Sequence, residues 1–167
     1  MFYLNVIEYF TLALFLGLLT LAAISDLRFY RIPNRISLLI LTLYPAHIVT
    51  YSGTIDWQVS LLLALVTFLS GFLLFSLQLM GGGDVKLLSA TALWAGPELI
   101  FEFLALTGIA GGLMALFMLS PLRFALAMTF DNHKNTEATK ASLGGALPYG
   151  VAISIGGYAV GAALLNG

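Results

Sequence analysis

Two aspartates follow long apolar runs in this chain, and together they could do acid and base chemistry. Asp26 lies in AAISDLRFYRIPNRIS, residues 22–37, and Asp84 follows three glycines in LQLMGGGDVKLLSA, residues 77–90. Two carboxylates held within about 3 Å cannot both ionise easily, so they share one proton. The ionised member can take a proton from water while the protonated member hydrogen-bonds a peptide carbonyl. The pair therefore predicts peptide hydrolysis without a covalent enzyme intermediate. The shared proton is a property of the pair and is not assigned to either aspartate.

Each aspartate also has a structural explanation. The glycines could supply the left-handed C-cap of one helix, with Asp84 capping the next helix by accepting amide hydrogen bonds. Asp26 could pair with Arg28 or Arg31. At a helix C-terminus, however, the macrodipole disfavours a carboxylate by about 0.3–1 kcal/mol. Ionisable groups at membrane depth are functional hypotheses by default, and we favour the paired site.

The elements that carry the aspartates are hydrophobic helices. Of the 167 residues, 60% are hydrophobic and only 9% are charged, which is typical of a protein that crosses a membrane many times. A transmembrane helix needs about 20 apolar residues. We predict an all-α, polytopic membrane protein with about six transmembrane helices in one domain over residues 1–167. The segments are Ile7 to Ser25, Ile36 to Thr50, Val59 to Met80, Val85 to Gly96, Leu99 to Leu119 and Gly145 to Leu165.

The fourth segment is short for a full crossing. About twelve residues rise about 18 Å, against a hydrocarbon core of about 30 Å. Three alternatives are open: it crosses a thinned region, it re-enters, or it pairs with the fifth segment across Pro97 as a buried kinked hairpin.

The charges predict the orientation. All seven basic residues fall after the first, third and fifth segments. The charged residues at the opposite ends of the segments are all acidic. By the positive-inside rule, both termini lie outside and both aspartates lie at the cytoplasmic face. The hydrophilic stretch DNHKNTEATK, residues 131–140, is then a cytoplasmic loop.

Glycines recur at a spacing that lets helices approach closely. The pairs are Gly108 with Gly112 and Gly157 with Gly161. Such pairs allow close backbone contact between helices in lipid. We predict packing at both pairs, without chemistry.

Composition excludes several other functions. The chain has no cysteine, which removes disulfides, thiolate nucleophiles and cysteine-ligated zinc. His47 and His133 have no metal-ligand partner at a useful spacing, so we expect no metal. The net charge of −1 and the lack of a basic tract indicate no nucleic-acid partner.

The motifs resemble those of the type IV prepilin peptidases, which are membrane aspartic endopeptidases with the GxGD protease fold. Gly81, Gly82, Gly83 and Asp84 match the GxGD motif, and residues 26–34 resemble the family's Asp to Ile-Pro-Asn segment. LPYGVAISIGG, residues 147–157, resembles the Pro-Tyr-Gly start of its last helix. The resemblance implies catalysis by Asp26 and Asp84. It also implies cleavage of the N-terminal leader of pilin-like precursors at the cytoplasmic face of the bacterial inner membrane.

The resemblance is to the short form of the family, associated with tight-adherence Flp pilus systems. Longer members add an N-methyltransferase activity and a tetracysteine zinc segment, whereas Asp26 here directly follows the first segment. We therefore expect neither methylation nor any cofactor. The expected partners are the lipid bilayer and pilin or pseudopilin precursors with a basic leader before an apolar helix, and the oligomeric state stays open.

Other motif residues are candidates for the substrate pocket. Lys86 either anchors the helix at the membrane surface or tunes the shared proton. Pro33 ends one helix, and Asn34 caps the next or contacts the substrate. Pro148, Tyr149 and Gly150 are candidates by resemblance alone. The full set is Gly81, Gly82, Gly83, Lys86, Pro33, Asn34, Pro148, Tyr149 and Gly150.

Two other functions use the same features. Paired carboxylates and glycine-broken helices also mark ion pathways, so a small proton-coupled transporter is one alternative. A pilus assembly factor that binds pilins without cutting them is the other. Transport sites favour the bilayer midplane, and the position of both aspartates at helix ends therefore favours a peptidase.

Overall fold

The computed structural model describes residues 2–51, 53, 55–119 and 147–166, and every regular element there is an α-helix. The all-α prediction is confirmed. The predicted loop at 131–140, His133 and Gly145 lie outside the described residues. The helices are α1 (Phe2–Phe29), α2 (Asn34–Thr50), α3 (Trp57–Ser76), α4 (Gly82–Leu119) and α5 (Tyr149–Asn166).

The described helices are those of a membrane protein. By length and composition, the candidate spans are Val6–Phe29, Trp57–Ser76, Gly82–Phe117 and Tyr149–Asn166. Helix α2, at 17 residues, is slightly shorter than these. Helices suit a bilayer because each satisfies its own backbone hydrogen bonds where no water is available.

Helix α4 contains a sharp break at Gly96. This residue has φ 58° and ψ −169°, outside the helical region, and Pro97 follows it. Only glycine adopts such a positive φ readily, because a Cβ would crowd the backbone. The break therefore divides α4 into a first arm, residues 82–95, and a second arm, residues 97–119.

The first arm runs antiparallel to α3. A Cβ added to Gly71, near the end of α3, would lie 2.9 Å from Val85 at the start of the arm. One added to Gly96 would lie 3.1 Å from Ser60, near the start of α3. The arm therefore leads away from the end of the bundle that carries the aspartates.

The second arm returns along α5. A Cβ added to Gly156, in the middle of α5, would lie 2.8 Å from the carbonyl oxygen of Phe103. Gly111, further along the arm, approaches Tyr149 and Ala152 at the start of α5. The fourth and fifth predicted segments thus form a kinked hairpin, with the break one residue before Pro97.

The first arm is the centre of the bundle. Leu87, Ala90 and Ala92 are fully buried in a core that includes Phe15 and Leu19 of α1. Most of the second arm is exposed on the outside of the bundle. The first arm, which carries Asp84 in its first turn, is therefore largely surrounded by protein.

The two glycine pairs differ in how closely neighbouring helices approach them. A Cβ on Gly157 would lie 2.6 Å from Leu19, and one on Gly161 would approach Leu16 equally closely, which confirms close packing there. Among the described residues, nothing lies within 4 Å of the corresponding position at Gly108 or Gly112. Packing at that second pair stays a prediction, because this face of the second arm points away from the part of the bundle that the structure describes.

Candidate active site

Asp26 lies in the last turn of α1 and points at the first turn of α5. Its side chain is only 4% exposed, and the N–H of Gly150 donates to its Oδ2 at 2.6 Å. The amide of Val151 also interacts with the carboxylate. The free N–H groups and positive dipole end of α5 therefore offset the unfavourable C-terminal dipole of α1. Within the described residues, no ion pair joins Asp26 to Arg28 or Arg31, so the structure does not support that structural alternative.

The close approach of α5 to Asp26 explains why residue 150 is a glycine. An added Cβ would lie 2.9 Å from Asp26 Oδ2 and 2.7 Å from Ile32 Cδ1, closer than real side chains come. Pro148, just before α5, is buried, and its carbonyl accepts the N–H of Val151 at 3.2 Å. The Pro-Tyr-Gly sequence thus starts a helix whose first amides reach a carboxylate.

Asp84 is the third residue of α4 and is 9% exposed. Its Oδ2 accepts the N–H of Gly81 at 3.1 Å. This is the return bond of a capping box, in which the third helical residue reaches back to the residue before the helix. Asp84 therefore caps its helix, as the structural alternative proposed, and capping still leaves its side chain at the cavity described below.

The glycines before Asp84 serve close approach. A Cβ on Gly81 would lie 2.7 Å from Asp84 Oδ2, and one on Gly83 would lie 3.1 Å from the carbonyl oxygen of Ile32. The connection after α1 therefore packs directly on the start of α4. Among the described glycines only Gly96 has a positive φ, so the three glycines before Asp84 allow close approach and do not supply left-handed backbone.

The left-handed C-cap of α3 is Gln78, with φ 60°, and not a glycine. The N–H of Gln78 donates to Phe75 O at 2.9 Å, and that of Leu79 donates to Leu74 O at 2.9 Å. This is the Schellman pattern of helix ends. The helix is already closed when the chain reaches the glycines, which explains why they are not needed as a cap.

Both aspartates line one cavity of about 910 Å³. Its volume is in the upper range of ligand-binding cavities. It opens between the ends of α1 and α3 and the starts of α4 and α5. It is lined by Asp26, Tyr30, Arg31, Ile32, Phe75, Ser76, Gln78, Leu79, Met80, Gly81, Gly82, Gly83, Asp84, Leu147 and Tyr149.

The remaining predicted pocket residues divide into two groups. Gly81, Gly82, Gly83 and Tyr149 line the cavity with the aspartates. The cavity lining does not include Lys86, Pro33, Asn34, Pro148 or Gly150, although Gly150 reaches Asp26 through its backbone.

Lys86 and Asn34 meet each other beside the cavity. The Nζ of Lys86 donates to Asn34 Oδ1 at 3.0 Å, which ties α4 to the first residue of α2. No side-chain hydrogen bond caps α2, whose cap position is Pro33, so the prediction that Asn34 is the cap is wrong. The contact instead ties the start of α2 to the beginning of the helix that carries Asp84.

The motifs did not reveal Tyr30, Arg31, Gln78 and Leu79 as lining residues. Their only signal was sequence proximity to Asp26 and Asp84. Within the described part of the chain, no group of three His, Asp or Glu residues is arranged to hold a metal ion. The acid and base groups at the centre of the described lining are therefore the two carboxylates beside their backbone amides.

Comparison with known proteins adds one finding. The profile of the type IV leader peptidase family matches residues 13–116, which include both aspartates, α2, α3 and nearly all of α4. No curated protein and no solved structure matches the chain.

Proposed function

The chain belongs to the type IV leader peptidase family, and we propose that it is the aspartic endopeptidase that removes the leader of Flp-type prepilins. The supporting observation is that Asp26 and Asp84, from different helices, line one cavity. In each carboxylate, Oδ2 accepts a backbone N–H. The proposal assigns the catalytic role to these two residues.

The mechanism is water activation by a shared proton. Each carboxyl group is oriented by its amide before substrate arrives, so little reorganisation is needed during reaction. The ionised aspartate removes a proton from water, and the protonated one hydrogen-bonds the scissile carbonyl as the hydroxyl adds to its carbon. The tetrahedral diol then collapses, the C–N bond breaks, and the leaving amine takes a proton from the pair.

The cavity suits an extended peptide. Gly81, Gly82 and Gly83 form part of its wall, and residues without a Cβ let a substrate backbone come close. Leu79, which is 60% exposed, and Phe75 supply an apolar surface beside them. A prepilin would match both features of this wall. Its unwound cleavage site would lie against the glycines, and the apolar segment that follows would contact the apolar surface.

The charges favour cleavage at the cytoplasmic face of the bacterial inner membrane. Arg28, Arg31, Arg35 and Lys86 lie at or beside the aspartate end of the bundle, and positive residues favour the cytoplasmic side. We propose pilin and pseudopilin precursors as substrates, and a single transmembrane domain over residues 1–167. Methylation of the new N-terminus is not part of the proposal.

The test is the mass of a Flp-type pilin N-terminus after co-expression in a host without its own prepilin peptidase. We expect loss of the leader and an unmethylated N-terminus, with intact precursor when the peptidase is omitted. Intact precursor despite accumulation of the protein in the membrane would contradict the proposal. Proton flux into proteoliposomes without cleavage would support the transporter alternative.

A further inference from the structure

Two non-glycine residues adopt the left-handed backbone conformation, and both border the aspartate cavity. Tyr30 has φ 50° and Gln78 has φ 60°, and among the described residues no other non-glycine has a positive φ. Tyr30 follows α1, which carries Asp26, and Gln78 lies in the connection from α3 to α4, which carries Asp84. Both side chains belong to the cavity lining.

Glycine would satisfy the backbone conformation at both positions. The N–H of Tyr30 donates to Asp26 O at 2.9 Å, and that of Gln78 donates to Phe75 O at 2.9 Å. These are helix-closing bonds, which need a left-handed residue and no particular side chain, and glycine is the usual choice. A Cβ is unfavourable in this conformation. The chain thus keeps two side chains where the helix ends would be more stable without them.

Hydrogen bonding within the described fold does not account for either side chain. Within the described residues, neither the Tyr30 hydroxyl nor the Gln78 amide makes a hydrogen bond. Gln78 is exposed and Tyr30 is half-buried. Unfavourable backbone conformations that persist beside a reactive site point to a role in that site.

We propose that Gln78 and Tyr30 contact the substrate, an extended peptide that crosses the cavity. This rests on the proposed peptidase function. An unwound segment exposes backbone N–H and C=O groups that need partners. The Gln78 amide carries both a donor and an acceptor, so it can pair with one peptide unit. The Tyr30 ring offers a flat surface to an apolar substrate side chain and a hydroxyl to its backbone.

The test replaces each residue with glycine, as Gln78→Gly and Tyr30→Gly. Melting temperature in detergent should stay the same or rise, because the unfavourable backbone conformation is relieved. The KM for a prepilin should rise about five- to tenfold, as expected for one lost hydrogen bond, while kcat changes less. Unchanged KM would overturn the proposal, and so would a rise in KM together with a lower melting temperature.

Conservative variants and a neighbour sharpen the result. Gln78→Asn keeps the amide and tolerates the left-handed conformation, so it should recover part of the lost affinity. Tyr30→Phe separates the ring from the hydroxyl. Leu77→Gly is the matched control, since Leu77 is 59% exposed and outside the cavity lining, and its KM should equal that of wild type.

The experiment distinguishes failure of the peptidase proposal from failure of the substrate-contact proposal. If wild type leaves the prepilin uncut, the peptidase function itself is wrong. If wild type cuts and both glycine variants cut with the same KM, only the substrate-contact role of Tyr30 and Gln78 is wrong.

Discussion

Each end of the helix bundle buries ionisable side chains beside a cavity, but the two cavities differ in volume. The cavity at the aspartate end has a volume of about 910 Å³, whereas the one at the opposite end has about 100 Å³. The smaller cavity lies at the break in α4, beside Gly96, Ser60 and His47. His47 is 2% exposed, so it is at least as buried as either aspartate.

Aromatic packing fills the opposite end. The His47 ring stacks on Trp94 with centroids 4.8 Å apart, and Trp94 stacks on Phe15 at 4.3 Å. Trp94 also donates its Nε1–H to Ile40 O at 3.1 Å. Trp94 is therefore a packing residue of the buried core.

The difference between the ends lies in the hydrogen-bond partners of the buried groups. At the aspartate end, a backbone N–H meets each carboxylate, and glycines leave room around it. At the opposite end, His47 Nδ1 is buried without a hydrogen-bond partner among the described residues. Burial of an ionisable group is therefore a weak sign of a site, and open space with convergent amides is a stronger one.

Replacing either aspartate should have the largest effect. We expect Asp26→Asn and Asp84→Asn each to slow prepilin cleavage by at least about 1000-fold, because acid–base catalysis by the pair is lost. Cleavage is followed by the mass of the pilin N-terminus, and membrane accumulation should match wild type. Asp56→Asn, at the opposite end, is the control and should cut normally. Near-normal cleavage by either active-site variant would rule out the pair.

Gly150→Ala should have the next largest effect. The added Cβ would meet Asp26 Oδ2 at 2.9 Å and displace the carboxylate from its amide. We expect a fall in cleavage rate of about 100-fold, as misplacement of a catalytic group by about 1 Å can produce. Gly112→Ala, in a helix and with open space around it, is matched to it and should stay active. Equal activity of the two variants would show that the approach to Asp26 is unimportant.

The contact between Lys86 and Asn34 should contribute less. Lys86→Met or Asn34→Leu should each lower the cleavage rate about three- to tenfold, since one hydrogen bond to a charged group is lost at an exposed site. The double variant should be no worse than either single variant, because both remove the same contact. Arg35→Met serves as a control for loss of positive charge. Additive losses in the double variant would show that the two residues act separately.

Changes at His47 should have the smallest effect on cleavage. His47→Phe keeps the ring stack and removes the unpaired Nδ1, so we expect normal cleavage and stability equal to wild type or higher by about 1 kcal/mol. His47→Ala should lower stability by about 2–3 kcal/mol through the space left beside Trp94. Both are measured by thermal unfolding in detergent. Loss of cleavage in a stable His47→Phe variant would mean that the opposite end takes part in function.

Sequence patterns were sufficient for the helices and for the choice of Asp26 and Asp84 as candidates. Long apolar runs in a membrane must become helices, because no other local structure satisfies their backbone groups there. Glycine and proline at residues 96 and 97 likewise located the break in α4 to within one residue. These features depend on residue type and short-range spacing, which can be read from a single sequence.

Which side chains meet depends on how the helices pack, and here local patterns were misleading. The glycine pairs in α4 and α5 look alike in sequence, yet within the described part of the chain only the pair at 157 and 161 contacts a neighbouring helix. Asn34 looked like a cap and instead binds Lys86, while Gln78 occupies the left-handed position expected of a glycine. The amide partner of Asp26 comes from Gly150, at the far end of the chain. Contacts between distant segments depend on the rotation and crossing of whole helices, which no short stretch of residues specifies.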